Sequence, residues 1–423
     1  MMRKEKELRE RLRVELSKAE NEEGYSMENY IEVKIELQRY EAEKCRGAIL
    51  RSKAKYALEG ERCTAYFLGL EKSKQSRTYI HEIRNKEGEV VADYVAILER
   101  VQEFYGELYK GGGLEEDSIV EVLDSVESKL SVDDSEWCDR DINRKEVMEA
   151  IEGLNSGKSP GSDGIGIEFY KVYKEQMASI LVEAFREIEK TGIVQGRMVE
   201  GVITLVFKRK GNKLDLKNYR PISLLNVDYK ILAKVLANRI KRVIGGIIKT
   251  SQSYSIPGRD IADTIATARD TIEFMKRDRA GGIVLAIDWN KAFDRVEHEF
   301  LFKLLVRFGF GERLVGWVRR LYKGARSYVK INGVLTDRFG LGRSIRQGCS
   351  LSALLYAISL EPLALLIKND ERVRGIQLPS GSIHTINQYA DDTTITVRDG
   401  NSVKRVLELA ELYGRASAAR INK

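Results

Sequence analysis

The sequence predicts a mixed α+β fold, and three observations carry that prediction. From about Val227 to Ile248, apolar residues recur at spacings of three and four (Tyr229, Leu232, Leu236, Ile240, Val243, Ile247), which is the stripe of an amphipathic helix. The run Gly282-Ile283-Val284-Leu285-Ala286-Ile287 has no polar alternation and is β-branched, so it reads as a strand buried on both faces that delivers Asp288 at its C-terminal end. His384 to Gln388 and Thr393 to Val397 are β-prone segments on either side of Ala390-Asp391, the pattern of a tight hairpin.

The chain has 423 residues, more than a single core usually supports, so two or three subdomains are expected. Residues 1–58 are charge-dense and free of proline, with Arg and Glu at helical spacing from Leu8 to Glu22; they predict a helical N-terminal extension with a solvated face. Between residues 59 and 140 nothing catalytic is visible, and Gly111-Gly112-Gly113 ahead of Glu115-Glu116-Asp117 reads as a flexible boundary. Residues 141–280 open with Lys158-Ser159-Pro160-Gly161-Ser162-Asp163-Gly164, whose Gly and Pro suit an irregular loop or a plain turn between helices. Val202 to Phe207 then reads as a strand running into Lys208-Arg209-Lys210 and on towards Arg220. Cations at a strand end grip a triphosphate or a nucleic-acid backbone, although solvated lysines on a surface loop would look the same. Lys230, Lys234 and Lys241 lie off the apolar face of the following helix, where they could track phosphates or simply confer solubility.

Composition narrows the class without deciding it. Charged residues are 32% and hydrophobic ones 43%, ordinary for a globular chain. The net charge of +7 and pI near 8.9 permit a nucleic-acid partner. Cys45, Cys63, Cys138 and Cys349 are widely spaced and unpaired with histidine, which indicates neither a zinc site nor a disulfide framework. The start, Met1-Met2-Arg3-Lys4-Glu5-Lys6, lacks the apolar core of a signal peptide. The greasiest stretch, Leu351 to Ile367, is shorter than the ~20 residues that span a bilayer and reads as a buried helix. The expected location is therefore intracellular, nuclear or cytoplasmic, with no membrane partner.

The chemistry lies in the carboxylates. A lone Asp288 at a strand end and the Asp391-Asp392 pair in a hairpin are the oxygen ligands that hard divalent cations take, and two such cations about 3.5–4 Å apart clamp the attacking and leaving oxygens of a phosphoryl transfer. Taken singly, Asp-Asp is also common in solvated turns, and an Asp after a strand is often a helix cap.

Order and company separate these readings. Lys158 to Gly164, Asn218-Tyr219-Arg220-Pro221-Ile222-Ser223-Leu224-Leu225, Ile256-Pro257-Gly258-Arg259, Asp288 to His298, Arg346-Gln347-Gly348-Cys349-Ser350-Leu351-Ser352 and Tyr389-Ala390-Asp391-Asp392 follow one another as six blocks. In this order they resemble the reverse transcriptases of non-LTR (LINE-type) retrotransposons, from about residue 45 to the end of the chain. The resemblance implies a right-hand polymerase fold, with residues 59–140 as the linker region preceding the polymerase, 141–280 as fingers and 281–423 as palm. It implies RNA-directed DNA polymerisation, with an RNA template, a DNA primer or RNA–DNA hybrid, and a dNTP as partners. Asp288, Asp391 and Asp392 would hold two Mg²⁺ ions, or Mn²⁺ in their place. Lys208 and Arg220 would face the incoming nucleotide, and Phe293 would exclude a 2′-hydroxyl. Gln347 would hydrogen-bond template or nucleotide, while Gly348 lets backbone approach.

The sequence also departs from the family pattern. Ser162, Ser350 and Ala353 stand where proline is frequent, and Ala418 where glycine is frequent. The chain stops at Lys423, inside the block after the hairpin, so a thumb is expected to be absent and a truncated copy able to add very few nucleotides is the expectation. The alternative reading is a catalytically inactive, truncated or decayed copy retaining only nucleic-acid binding. A mobile-intron maturase shares the palm, but the wording of Asn218 to Leu225 and Arg346 to Ser352 favours the LINE type.

Overall fold

The computed structural model describes residues 2–21, 29–37, 40, 79–194, 196–277, 281–379 and 381–422. The chain divides into two compact units, Met1–Tyr79 and Ile80–Lys423. In the first, Met2–Asn21 is helical and residues 29–37 are helical, with Leu8, Val33 and Leu37 buried and Arg11 bonded to Glu36 at 3.3 Å. The helical expectation for Leu8 to Glu22 is met over the described part; the remainder of the extension, with Cys45 and Cys63, lies outside the described residues.

The second unit is α+β and is built on two larger sheets, with two two-stranded ribbons beside them. Glu200–Phe207 pairs antiparallel with Tyr219–Leu225 and parallel with Arg326–Ile331, and the short strands Val334–Leu335 and Phe339–Gly340 both pair with Arg326–Ile331. Helix Tyr94–Tyr109 lays Ile97, Val101 and Tyr105 against Ile203, Val329 and Ile331 of this sheet, so a segment with no visible chemistry is an integral layer of the fold. The glycine triplet that follows is held rather than loose. Gly112 N–H donates to the Glu297 carboxylate at 3.2 Å, and a Cβ on Gly111 would stand 2.9 Å from the Gly342 carbonyl group.

The other sheet has three antiparallel strands in the order Ile386–Tyr389, Asp392–Val397, Ile283–Ile287. Burial here differs from expectation. Among the described residues Ile283–Ile287 pairs only with Asp392–Val397, so it is an edge strand, and Ile283, Val284 and Ala286 are exposed while Ile287 is buried. A β-branched run fits a half-covered edge as well as a sheet centre, which is why pattern alone misjudged it.

Two long helices contribute most deeply to the main core. Val227–Ile247 buries the whole predicted apolar stripe, and Ser352–Asn369 is buried along nearly its entire length, as expected for the greasy segment. The latter is long and apolar enough to cross a membrane by length and composition alone, but most of it is inside the protein. The Lys230 ammonium donates to the Ser159 carbonyl at 3.3 Å, tying the Lys158–Gly164 loop to the helix start. That loop is the connection between helices Arg144–Glu152 and Ile167–Val172, and a Cβ on Gly161 would collide with Asn226. Arg259 caps the far end of the same long helix by donating to the carbonyls of Ile248, Lys249 and Gln252, which gives the Ile256–Arg259 block a structural role.

Helix Gly400–Ser417 ends at Ala418 with φ 65°, a left-handed cap at the position noted for lacking glycine. A Cβ there is strained, so Ala418→Gly should raise unfolding stability by about 1 kcal/mol, read as a shifted urea midpoint at constant slope. An unchanged or lower midpoint would show the cap already relaxed.

Candidate active site

Ile287 pairs with Thr393, so Asp288 leaves the sheet level with Asp392, the residue that closes the hairpin opposite Tyr389. Ala390 takes φ 52° to make the turn so tight, an uncommon conformation for a residue with a side chain. The hairpin is fixed from behind: Gln388 N–H donates to the Ser251 carbonyl at 2.7 Å, and Ser253 N–H to the Gln388 carbonyl at 3.2 Å. The ring of Tyr254 meets that of Tyr389 edge-on, with centroids 5.4 Å apart.

Asp391 feels the other two carboxylates. Burial, then repulsion from Asp392 and Asp288, raises the Asp391 carboxyl above the ordinary aspartate range, with Lys208 pulling the other way. Asp288 is exposed and accepts from the Asn422 side-chain amide at 2.8 Å; Asn422 N–H also donates to the Asp288 carbonyl at 2.8 Å.

A cavity of about 840 Å³ opens over this edge. Asp288 and Asp391 line it from one side, Lys208, Lys210, Lys217 and Arg220 from another, and Phe293, Gln347 and Gly348 from a third. Asp392 does not line it and is solvent-exposed on the hairpin. The cations arrive because Phe207 pairs with Tyr219 and Val206 with Arg220, which ends the hairpin ladder at the cavity. Lys208 N–H bonds the Asn218 carbonyl at 2.9 Å and closes the loop.

Phe293 lies half-buried with its ring stacked on Tyr356, centroids 4.1 Å apart and planes 18° from parallel, so it presents a rigid wall. Gly348 has φ 113°, and a Cβ there would stand 2.7 Å from the Ser223 carbonyl oxygen. The approach that requires glycine is thus strand to loop, reinforced by Ser223 N–H donating to the Gln347 carbonyl at 2.9 Å.

Sequence reasoning did not single out four residues. Asp294 is buried beside Phe293, and burial pushes its carboxyl up to about 6 against the pull of Lys291. Lys291, in a left-handed conformation at φ 52°, lines the cavity; burial lowers its ammonium to about 8, opposed by Asp294. Both lie inside the Asp288–His298 block, where proximity to Asp288 was the available signal. Tyr109 and Asn422 reach the site from distant segments, and no local pattern marks them.

Among the described residues no closed cluster of three acidic, histidine or cysteine side chains is formed. The donor set still fits a hard cation, because Mg²⁺ is usually held by one or two carboxylates together with substrate phosphates and waters, not by an all-protein cage. The repulsion at Asp391 is the same statement in electrostatic form.

Residues 208–423 match the family described as reverse transcriptase (RNA-dependent DNA polymerase). This chain belongs to the reverse transcriptase family. Its relatives are retrotransposon proteins of the LINE type. It is 34% identical over 394 residues to the transposon TX1 uncharacterized 149 kDa protein of Xenopus laevis, covering 93% of this chain and 30% of that protein. The RNA-directed DNA polymerase from mobile element jockey of Drosophila funebris is 25% identical over 264 residues, 61% of this chain and 27% of the relative. A Pol polyprotein from a type-1 R2 element of Popillia japonica is 22% identical over 241 residues, covering 56% and 32%. The chain therefore spans about 30% of the length of the curated relatives it matches.

Proposed function

We propose that this chain carries the polymerase centre of a LINE-type element and adds deoxynucleotides to a primer 3′-hydroxyl under direction of an RNA template. The carrying observation is one cavity on which the carboxylates of Asp288 and Asp391, the cations Lys208, Lys210, Lys217, Arg220 and Lys291, and the Phe293 ring converge. The Glu200–Leu225 hairpin serves as the fingers side, within residues 141–280, and the three-stranded sheet as the palm, within 281–423. Asp288, Asp391 and Asp392 would hold two Mg²⁺ ions, for which Mn²⁺ could substitute. Bound there, such ions lower the charge barrier between the primer oxygen and the α-phosphate and steady the departing pyrophosphate.

The rest is done by the chain itself. Lys208 and Arg220 take the triphosphate in charge-assisted hydrogen bonds. Gln347 offers its side-chain amide to the nucleotide or its template base. Phe293, wedged on Tyr356, occupies the space a 2′-hydroxyl would need.

That wall gives the direct test. Phe293→Val should raise the ratio of ribo- to deoxynucleotide incorporation by roughly ten- to a hundredfold in primer extension on RNA, since pocket volumes discriminate by a few kcal/mol. An unchanged ratio would make Phe293 a core residue only.

A further inference from the structure

Asp294 is 2% exposed and lies at the wall of the cavity beside Phe293, apart from the Asp288–Asp391 edge. Its Oδ1 accepts two hydrogen bonds, one from the Tyr109 hydroxyl at 3.2 Å and one from the Gln347 Nε2 amide at 3.3 Å. Tyr109 is itself 3% exposed and ends the Tyr94–Tyr109 helix, outside the residues that match the family. The helix end is pinned where it is needed: Gly342 N–H donates to the Tyr109 carbonyl at 2.9 Å and Arg343 Nε to the Leu108 carbonyl at 2.7 Å. Ile345 N–H in turn donates to the Phe293 carbonyl at 2.7 Å, so the strap that carries Gln347 is registered on the Phe293–Asp294 backbone.

A glutamine amide has a donor end and an acceptor end of nearly equal shape, and only its neighbours decide which end points where. A buried carboxylate that already takes the Tyr109 hydroxyl is an acceptor, so it selects the NH₂ end. We infer that Asp294 and Tyr109 are positioning residues for Gln347: by holding its amide nitrogen they turn the Oε1 acceptor toward the cavity, where it meets an N–H or O–H of the nucleotide or template. Residues 94–109 thereby take part in substrate selection although no side chain of that helix lines the cavity.

The inference rests on the role proposed above for Gln347, and the test separates the two. Steady-state primer extension on RNA is measured for Gln347→Ala, Asp294→Leu, Tyr109→Phe and the doubles with Gln347→Ala. Gln347→Ala and Asp294→Leu should each raise KM for the complementary dNTP about tenfold with little change in kcat, and Tyr109→Phe about threefold. In the Gln347→Ala background the other two substitutions should add nothing, because they act through the amide. If Gln347→Ala leaves KM unchanged, its proposed role fails and the inference with it. If Gln347→Ala raises KM but the effects multiply in the doubles, the inference alone is overturned. A second readout needs no turnover: in the chain labelled with ¹⁵N-glutamine, the side-chain amide signal lost in Gln347→Ala should shift in Tyr109→Phe, which removes one hydroxyl and no packing. A signal unmoved in both Tyr109→Phe and Asp294→Leu would also overturn it.

Discussion

Primer extension by Asp391→Asn falls by about a hundred- to a thousandfold relative to the parent chain, while the fold keeps its full thermal stability. The first half follows from charge: the substitution removes one of the anionic oxygens that would hold the metals, and losing one preorganised electrostatic contact in a reaction centre costs on the order of a hundred- to a thousandfold. The second half follows from the raised Asp391 carboxyl, whose charged form is disfavoured by burial and by Asp392 and Asp288. An acid whose pKa is raised by folding subtracts stability at neutral pH, so a neutral isostere should leave the melting temperature unchanged or slightly higher. Extension within tenfold of the parent would remove Asp391 from the centre, and a lower melting temperature would mean the loss was one of folding.

Arg239→Ala destabilises the chain by about 3–5 kcal/mol, measured as the shift in the urea unfolding midpoint. Arg239 is 1% exposed and forms a two-pronged pair with Glu146, both contacts at 2.8 Å. It also donates to the carbonyls of Cys138, Arg140 and Asp141, so it ties the Val227–Ile247 helix to the helices Val132–Asp139 and Arg144–Glu152 and the turn between them. Removing it leaves three carbonyls and a largely buried carboxylate without their donor. Burial alone would raise the Glu146 carboxyl, but the Arg239 hydrogen bonds and charge outweigh it and hold the group below the ordinary glutamate range. For an acid with a depressed folded-state pKa, the stabilisation is present above the unfolded value, about 4.3, and is lost as pH falls through the folded one. The gap between parent and Arg239→Ala should therefore narrow below about pH 4. A loss under about 1 kcal/mol at pH 7 would place this pair with surface ion pairs.

What was legible in the sequence was what neighbouring residues decide. The strand into Asp288, the turn at Ala390-Asp391, the apolar stripe of Val227–Ile247 and the cations after Phe207 each announce themselves within a short stretch of chain; the stripe enters the core, and the other three meet at one cavity. Exposure of Ile283 and Val284 was not legible, because how many partners a strand has is settled by segments far along the chain. The same reason hid Tyr109 and Asn422: a tyrosine in an amphipathic helix and an asparagine beyond a helix end look ordinary until tertiary pairing sets them on Asp294 and Asp288. Lys230 shows the converse, since a lysine off an apolar face reads as free while its ammonium donates to the Ser159 carbonyl.

The Gly111–Gly342 contact changes where harmful variation in such a chain should be sought. A Cβ on Gly342 would stand 2.6 Å from the Gly111 nitrogen, and a Cβ on Gly111 is equally obstructed by the backbone around Gly342. The obstructing atoms across the contact are backbone, joined at Gly111 by the Glu297 carboxylate at 3.0 Å, so even alanine at either position must pry the two segments apart. Copies of the element compared only over residues 208–423 would show every aspartate and cation in place and be scored intact. One methyl group at position 111 would nevertheless strain this contact, so a comparison of copies has to weigh that glycine alongside the aspartates.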